Sequence, residues 1–145
     1  MGETDTRREP RTVLVVDDDG DARRLLCYAL ELDGYATEDA ASGEQALIAY
    51  ERLHPDAILL DIMMPGMDGF AVCARLRALH DDNTPVLMYT ALEDSKSVER
   101  AFAVGADGYV TKSAGLDAIC SCVNALFGAD SAPGTSGSKT CLIKT

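Results

Sequence analysis

Basic residues are scarce in this chain. Lysine and arginine number 13 against 24 aspartates and glutamates, a formal charge of −11 with a pI near 4.4, and that field repels a phosphate backbone or an anionic bilayer. No direct contact with nucleic acid is expected. No apolar run is long enough to cross a membrane. Met1 to Pro10 is polar and charged, without the apolar core of a secretory signal or an anchor, so a loose arm is expected, while the cysteine usage suits a cytoplasmic location. Histidine is limited to His54 and His80, both near expected helix ends, where surface imidazoles are ordinary. Cysteine lacks metal-ligand spacing: Cys27, Cys73, Cys120, Cys122 and Cys141 are odd in number and mostly at apolar helical positions, as suits reduced core thiols. Nor is there length for a second domain, since 145 residues with 47% hydrophobic and 26% charged content fit one ordinary core.

What the chain does have is acid at the ends of apolar runs. Val13-Leu14-Val15-Val16 leads into Asp17-Asp18-Asp19, and Ala57-Ile58-Leu59-Leu60 leads into Asp61. A short apolar run without alternation fits a strand buried on both faces, so each acid stands at a strand's carboxyl end, the edge where open α/β sheets bind ligands. Asp17, Asp18 and Asp61 then converge. Two unit charges about 4 Å apart repel by roughly 4 kcal/mol at an effective dielectric near 20. An all-oxygen site with few protein ligands and room for phosphate oxygens suggests Mg²⁺ as the compensating charge.

Periodicity and punctuation organise the remainder. Ala22, Leu25, Leu26, Ala29 and Leu30 predict a helix from near Gly20 to Asp33, closed by Gly34. Tyr35 to Glu38 reads as a short strand, and Ser42 with Gln45 as a capping box opening a helix that stops before Pro55. Pro65-Gly66 and Asp68-Gly69 mark a tight loop before the helix begun by Phe70, Cys73 and Leu76. Thr84 to Thr90 and Asp107 to Thr111 predict strands, with helices around Val98 to Phe102 and Leu116 to Phe127. Strand–helix alternation with short connections requires parallel strands and right-handed crossovers, hence a doubly wound α/β fold with a five-stranded parallel sheet and five helices. The expected organisation is an arm over 1–10, one domain over 11–128 and, over 129–145, a Ser-, Thr-, Gly- and Pro-containing linker or tail.

Val15-Val16-Asp17-Asp18-Asp19 and the run from Leu60-Asp61 through Met63-Met64-Pro65-Gly66 to Asp68-Gly69 resemble the receiver domain of two-component response regulators. Val86-Leu87-Met88-Tyr89-Thr90-Ala91 and Gly105-Ala106-Asp107-Gly108-Tyr109-Val110-Thr111-Lys112 resemble two later elements of that family, in the same order. The resemblance implies strand order 2-1-3-4-5 and assigns Asp61 as phosphoacceptor, with Asp18 ligating Mg²⁺ directly, Asp17 partly through water and the Met63 backbone carbonyl completing the set. It further implies that Thr90 donates to a phosphoryl oxygen, that Lys112 bridges Asp61, and that Tyr109 with Thr90 forms the switch. The implied donor is a sensor histidine kinase or phosphotransfer protein. The implied reader is a downstream effector or an absent output domain, with a phosphorylation-dependent homodimer as a further form. Ser113 stands where many receivers carry proline, which makes a cis peptide after Lys112 costly. Met63 and Leu92, both apolar, are placed beside the phosphoryl group and imply slow autodephosphorylation.

Other classes fit less well. A haloacid-dehalogenase-type phosphatase needs a second Asp two positions after the nucleophile, where Met63 stands. A flavodoxin-like carrier needs a phosphate-cradling loop after the first strand, where three aspartates repel phosphate. The remaining alternatives are the regulatory half of a DNA-binding response regulator without its output domain, and a receiver-shaped adaptor working without phosphorylation. As a receiver, the chain is expected to catalyse only its own phosphorylation and dephosphorylation.

Overall fold

The computed structural model of the chain describes residues 9–79, 83–128 and 141–144. The apolar runs become the central strands: β1 (Thr12–Val16), β3 (Ala57–Leu60) and β4 (Val86–Thr90) lie side by side, and all their residues except Thr12 are buried. Covered on both faces, they have no reason to alternate. β2 (Ala36–Ala40) flanks β1 and β5 (Gly108–Thr111) flanks β4, all in parallel, which gives the expected order β2-β1-β3-β4-β5. The five crossover helices are α1 (Gly20–Leu32), α2 (Gly43–Leu53), α3 (Gly69–Leu79), α4 (Ser95–Ala103) and α5 (Leu116–Leu126).

Strand parity divides the core into two layers. Leu14, Val16, Ile58, Leu60 and Met88 pack with Tyr50, Val72, Leu76 and Ala101 of α2, α3 and α4. Val13, Val15, Leu59, Leu87 and Tyr89 pack with Leu26, Leu30, Ile119 and Val123 of α1 and α5. Local chemistry sets the helix starts. The Asp19 carboxylate accepts the Asp21 and Ala22 N–H groups at 3.0 and 3.3 Å, so this third acid caps α1. Ser42 accepts the Gln45 N–H at 3.1 Å, and the Gln45 side chain accepts from Ala41 at 3.0 Å, a reciprocal cap for α2. Gly69 starts α3 directly behind Asp61: a Cβ there would lie 2.4 Å from the Asp61 carbonyl oxygen and 2.7 Å from the Ile62 Cα. Only glycine permits that approach.

Three features differ from expectation. A sixth strand, β6 (Cys141–Ile143), pairs antiparallel with β5, so the sheet is not five-stranded and the expected tail 129–145 is structured over these residues. Its residues 129–140 and 145, the arm residues 1–8 and His80 lie outside the described residues. The cysteines are not all reduced: Cys122 of α5 is disulfide-bonded to Cys141, while Cys27, Cys73 and Cys120 are free. Lastly, β2 runs from Ala36 to Ala40 rather than Tyr35 to Glu38, because Glu38 and Asp39 sit exposed on an outer strand that gives little apolar signal. No helix among the described residues is long and apolar enough to cross a membrane.

Candidate functional site

Asp17 directly follows β1 and Asp61 directly follows β3, and the ladder continues into the site because the Asp61 N–H donates to the Val16 carbonyl at 3.0 Å. Each of Asp17, Asp18 and Asp61 offers a carboxylate oxygen within 4.8 Å of the others. Asp17 and Asp61 are buried and Asp18 is exposed, so the cluster opens on one side. This is an acidic cluster compatible with a hard divalent cation, which takes oxygen ligands and keeps part of its water.

Lys112, immediately after β5, points into the cluster. Its ammonium donates to Asp61 Oδ2 at 3.0 Å and to Asp17 Oδ2 at 3.1 Å, and lies 4.9 Å from the centre of the Tyr89 ring. The remaining carboxylate oxygens are engaged from the backbone: Asp61 Oδ1 accepts the Met63 N–H at 3.2 Å and Asp17 Oδ1 the Asp19 N–H at 2.9 Å. Tyr89 donates its hydroxyl to Asp17 Oδ2 from the buried side. Arg23 fixes the adjacent loop, with Nη1 on the Asp17 carbonyl at 2.7 Å and Nε on Asp39 at 2.8 Å.

These contacts push the two buried acids in opposite directions. Burial raises the Asp61 carboxyl above the ordinary carboxylate range, and the Lys112 hydrogen bond and charge do not fully offset it. For Asp17 burial also acts upward, but hydrogen bonds from Tyr89, the Asp19 N–H and Lys112 together outweigh it and hold the group low. Burial alone would lower Lys112; the two carboxylates more than compensate, and its pKa rises. The ammonium is therefore held charged between two acids of unequal readiness to ionise.

Thr90 ends β4 at the same sheet edge and is fully buried, its Oγ1 3.4 Å from the Leu92 N–H. Tyr109 is buried too, and its hydroxyl donates to the Leu92 carbonyl at 2.8 Å, so this ring anchors the loop after β4 from beneath. Burial, then Asp94 and Glu93, push its phenol up to about 12. Met63 lies at the mouth, 54% exposed. Leu92 instead packs part of its side chain against the core. No peptide bond among the described residues is cis; Lys112–Ala114 forms a 3₁₀ turn, and Ser113 Oγ donates to Glu93 at 2.9 Å. The acids, Thr90, Lys112 and Tyr109 thus gather at one edge, whereas His54 caps the far end of α2. Tyr89 is the contact that reading the sequence misses. The available signal is parity: Tyr89 shares the face of Leu87, as Asp17 shares that of Val13 and Val15.

The family model for the response regulator receiver domain matches residues 13–124. DNA-binding response regulator MtrA of Mycolicibacterium smegmatis is 44% identical over 108 residues, 74% of this chain and 46% of that protein. MtrA of Mycobacterium tuberculosis H37Rv is 43% identical over the same length. The chain spans less than half the length of these curated relatives. Among solved structures, the Francisella response regulator 1452 receiver domain is similar with a TM-score of 0.76 and 32% identity, covering 81% of this chain and 97% of that one. Vibrio cholerae chemotaxis protein CheY4 gives a TM-score of 0.74 and 29% identity, covering 81% and 98%.

Proposed function

This chain belongs to the response regulator receiver domain family of two-component signalling, and from that premise we propose that Asp61 accepts a phosphoryl group from a partner's phosphohistidine. The observation that carries this reading is the Lys112 ammonium seated between Asp61 and Asp17, 3.0 and 3.1 Å from their oxygens, within a three-carboxylate cluster. A carboxylate nucleophile needs orientation and charge compensation more than it needs a base, since phosphoryl transfer is catalysed mostly by positioning and electrostatics.

The Met63 N–H and Lys112 orient the Asp61 carboxylate. One of its oxygens forms a bond to phosphorus as the bond from phosphorus to the donor's imidazole nitrogen breaks, the electron pair leaving with the imidazole. Lys112 then exchanges a carboxylate partner for a phosphoryl oxygen, a point-charge task that suits lysine. The Thr90 hydroxyl donates to a second oxygen, and the loop held by the Tyr109–Leu92 hydrogen bond is the element that moves. Asp18, Asp61 and the Met63 carbonyl would hold Mg²⁺ directly, with Asp17 acting partly through water. When bound, the ion supplies positive charge against the phosphoryl oxygens. As a receiver, the domain catalyses only its own phosphorylation and dephosphorylation.

The donor class is a sensor histidine kinase or a phosphotransfer protein, and the expected setting is the cytoplasm. The curated relatives favour a role as the regulatory portion of a DNA-binding response regulator over a free-standing switch. Intact Asp61, Thr90 and Lys112 argue against an adaptor that ignores phosphate. Incubation with a small phosphodonor, followed by intact mass measurement, tests the reading: one added phosphoryl group that requires Mg²⁺ is expected. An unmodified mass with donor and Mg²⁺ together would favour the adaptor.

A further inference from the structure

In a five-stranded version of this sheet, β5 would present an unpaired row of N–H and C=O groups, the kind of edge that recruits another chain. Here β6 covers it, with Cys141 opposite Val110, Leu142 opposite Tyr109 and Ile143 opposite Gly108. The fit is specific at two points. The Lys144 N–H donates to the Asp107 carbonyl at 2.7 Å. A Cβ on Gly108 would come within 2.9 Å of Ile143 Cδ1 and 3.1 Å of the Leu142 carbonyl oxygen.

Apart from the disulfide, β6 is lightly held. It has three residues, of which Leu142 is 41% exposed and the other two are half-buried. Ordering so short a segment consumes much of what its hydrogen bonds return. The Cys122–Cys141 bond, spanning 19 positions of chain, anchors the strand to α5 and decides the balance.

We propose that Cys122 and Cys141 form a redox latch, which when oxidised holds β6 over the β5 edge from Gly108 to Val110 and when reduced lets β6 leave and bares that edge. The reductant is a dithiol. Its thiolate attacks one sulfur of the disulfide, and its second thiol closes a new disulfide within the reductant. Two electrons and two protons thereby pass to Cys122 and Cys141, which leave as thiols. The other cysteines compete poorly, because burial pushes Cys73 and Cys120 up to about 11 and raises Cys27 as well, leaving little thiolate near neutral pH.

The latch is independent of phosphoryl chemistry, and its test needs neither Mg²⁺ nor a phosphodonor. The full chain is treated with oxidised glutathione, freed of excess reagent and divided, one half receiving dithiothreitol. Alkylation in denaturant with intact mass counts thiols, and amide hydrogen exchange at Lys144 reads docking. Three alkylated cysteines are expected before reduction and five after. Reduction should speed Lys144 exchange by about tenfold or more while amides of β1 and β3 hold their rates. Cys141→Ser should match the reduced protein with or without dithiothreitol; if that variant fails to fold, the wild-type pair decides alone. Equal Lys144 protection before and after reduction would overturn the latch, as would five alkylated cysteines in the glutathione-treated protein.

Discussion

Lys112 donates to both Asp17 and Asp61, yet the two carboxyls shift in opposite directions, because Asp17 has the additional Tyr89 and Asp19 donors while Asp61 has one backbone N–H. The sign of the Asp61 shift has a consequence for stability. A carboxyl whose folded pKa is raised stabilises the fold below its unfolded value, about 3.9 for aspartate, and that contribution is lost as pH rises through the folded pKa. Ionised Asp61 therefore costs stability near neutrality. Without divalent cations, Asp61→Asn should melt higher than wild type at neutral pH, with the gain shrinking as pH falls through the raised folded pKa and essentially gone once pH is below about 4; thermal unfolding across that range checks it, and a lower melting temperature at neutrality would contradict it. Tyr89 acts the other way, since removing its hydroxyl deprives a fully buried carboxylate of a donor. Tyr89→Phe should lose about 2 kcal/mol in denaturant unfolding. A loss below about 0.5 kcal/mol would show that Asp17 finds another partner. Asp17 and Asp61 are legible in the sequence because each directly follows an apolar run, and Lys112 through the family resemblance of the segment that ends on it; Tyr89 reads as one more β-former within an apolar run, and only its register reveals its partner.

Among the elements, legibility tracks burial. β1, β3 and β4 declare themselves as continuous apolar runs, and the caps of α1 and α2 follow from Asp19, Ser42 and Gln45. β2 is blurred because an outer strand needs few apolar residues, and β6 is hidden because three residues carry no periodicity. Its disulfide is hidden as well: five cysteines do not specify a pairing. The loops after β3 and β4 bring Met63 and Leu92 to the site region, but only Met63 stands free at the mouth. Its thioether cannot align a hydrolytic water as a carboxamide can. Met63→Asn should therefore speed phosphate release after donor removal by about tenfold, the equivalent of one well-placed hydrogen bond. Leu92→Glu should act in the same direction but also cost stability, because Leu92 packs on the core. Slower release from Met63→Asn than from wild type would remove this side chain from control of the lifetime.

The whole molecule carries a formal charge of −11, a large excess for 145 residues. Such a surface is suited to docking with proteins and resists polyanions. The full chain should therefore show no measurable affinity for duplex DNA near 150 mM salt, in either phosphorylation state, by fluorescence anisotropy. In the regulatory-portion reading, nucleic acid contacts belong to a separate output part. Measurable binding by this chain itself would contradict the inference drawn from its net charge of −11.

Whether Asp61 is the phosphoacceptor is decided by comparing wild type with Asp61→Asn after identical exposure to a small phosphodonor and Mg²⁺. Intact mass before and after mild base should show one acid-stable, base-labile phosphoryl group on wild type and none on the variant, whose fold is verified by unchanged circular dichroism. Equal labelling of the two proteins would place the acceptor elsewhere and contradict the account.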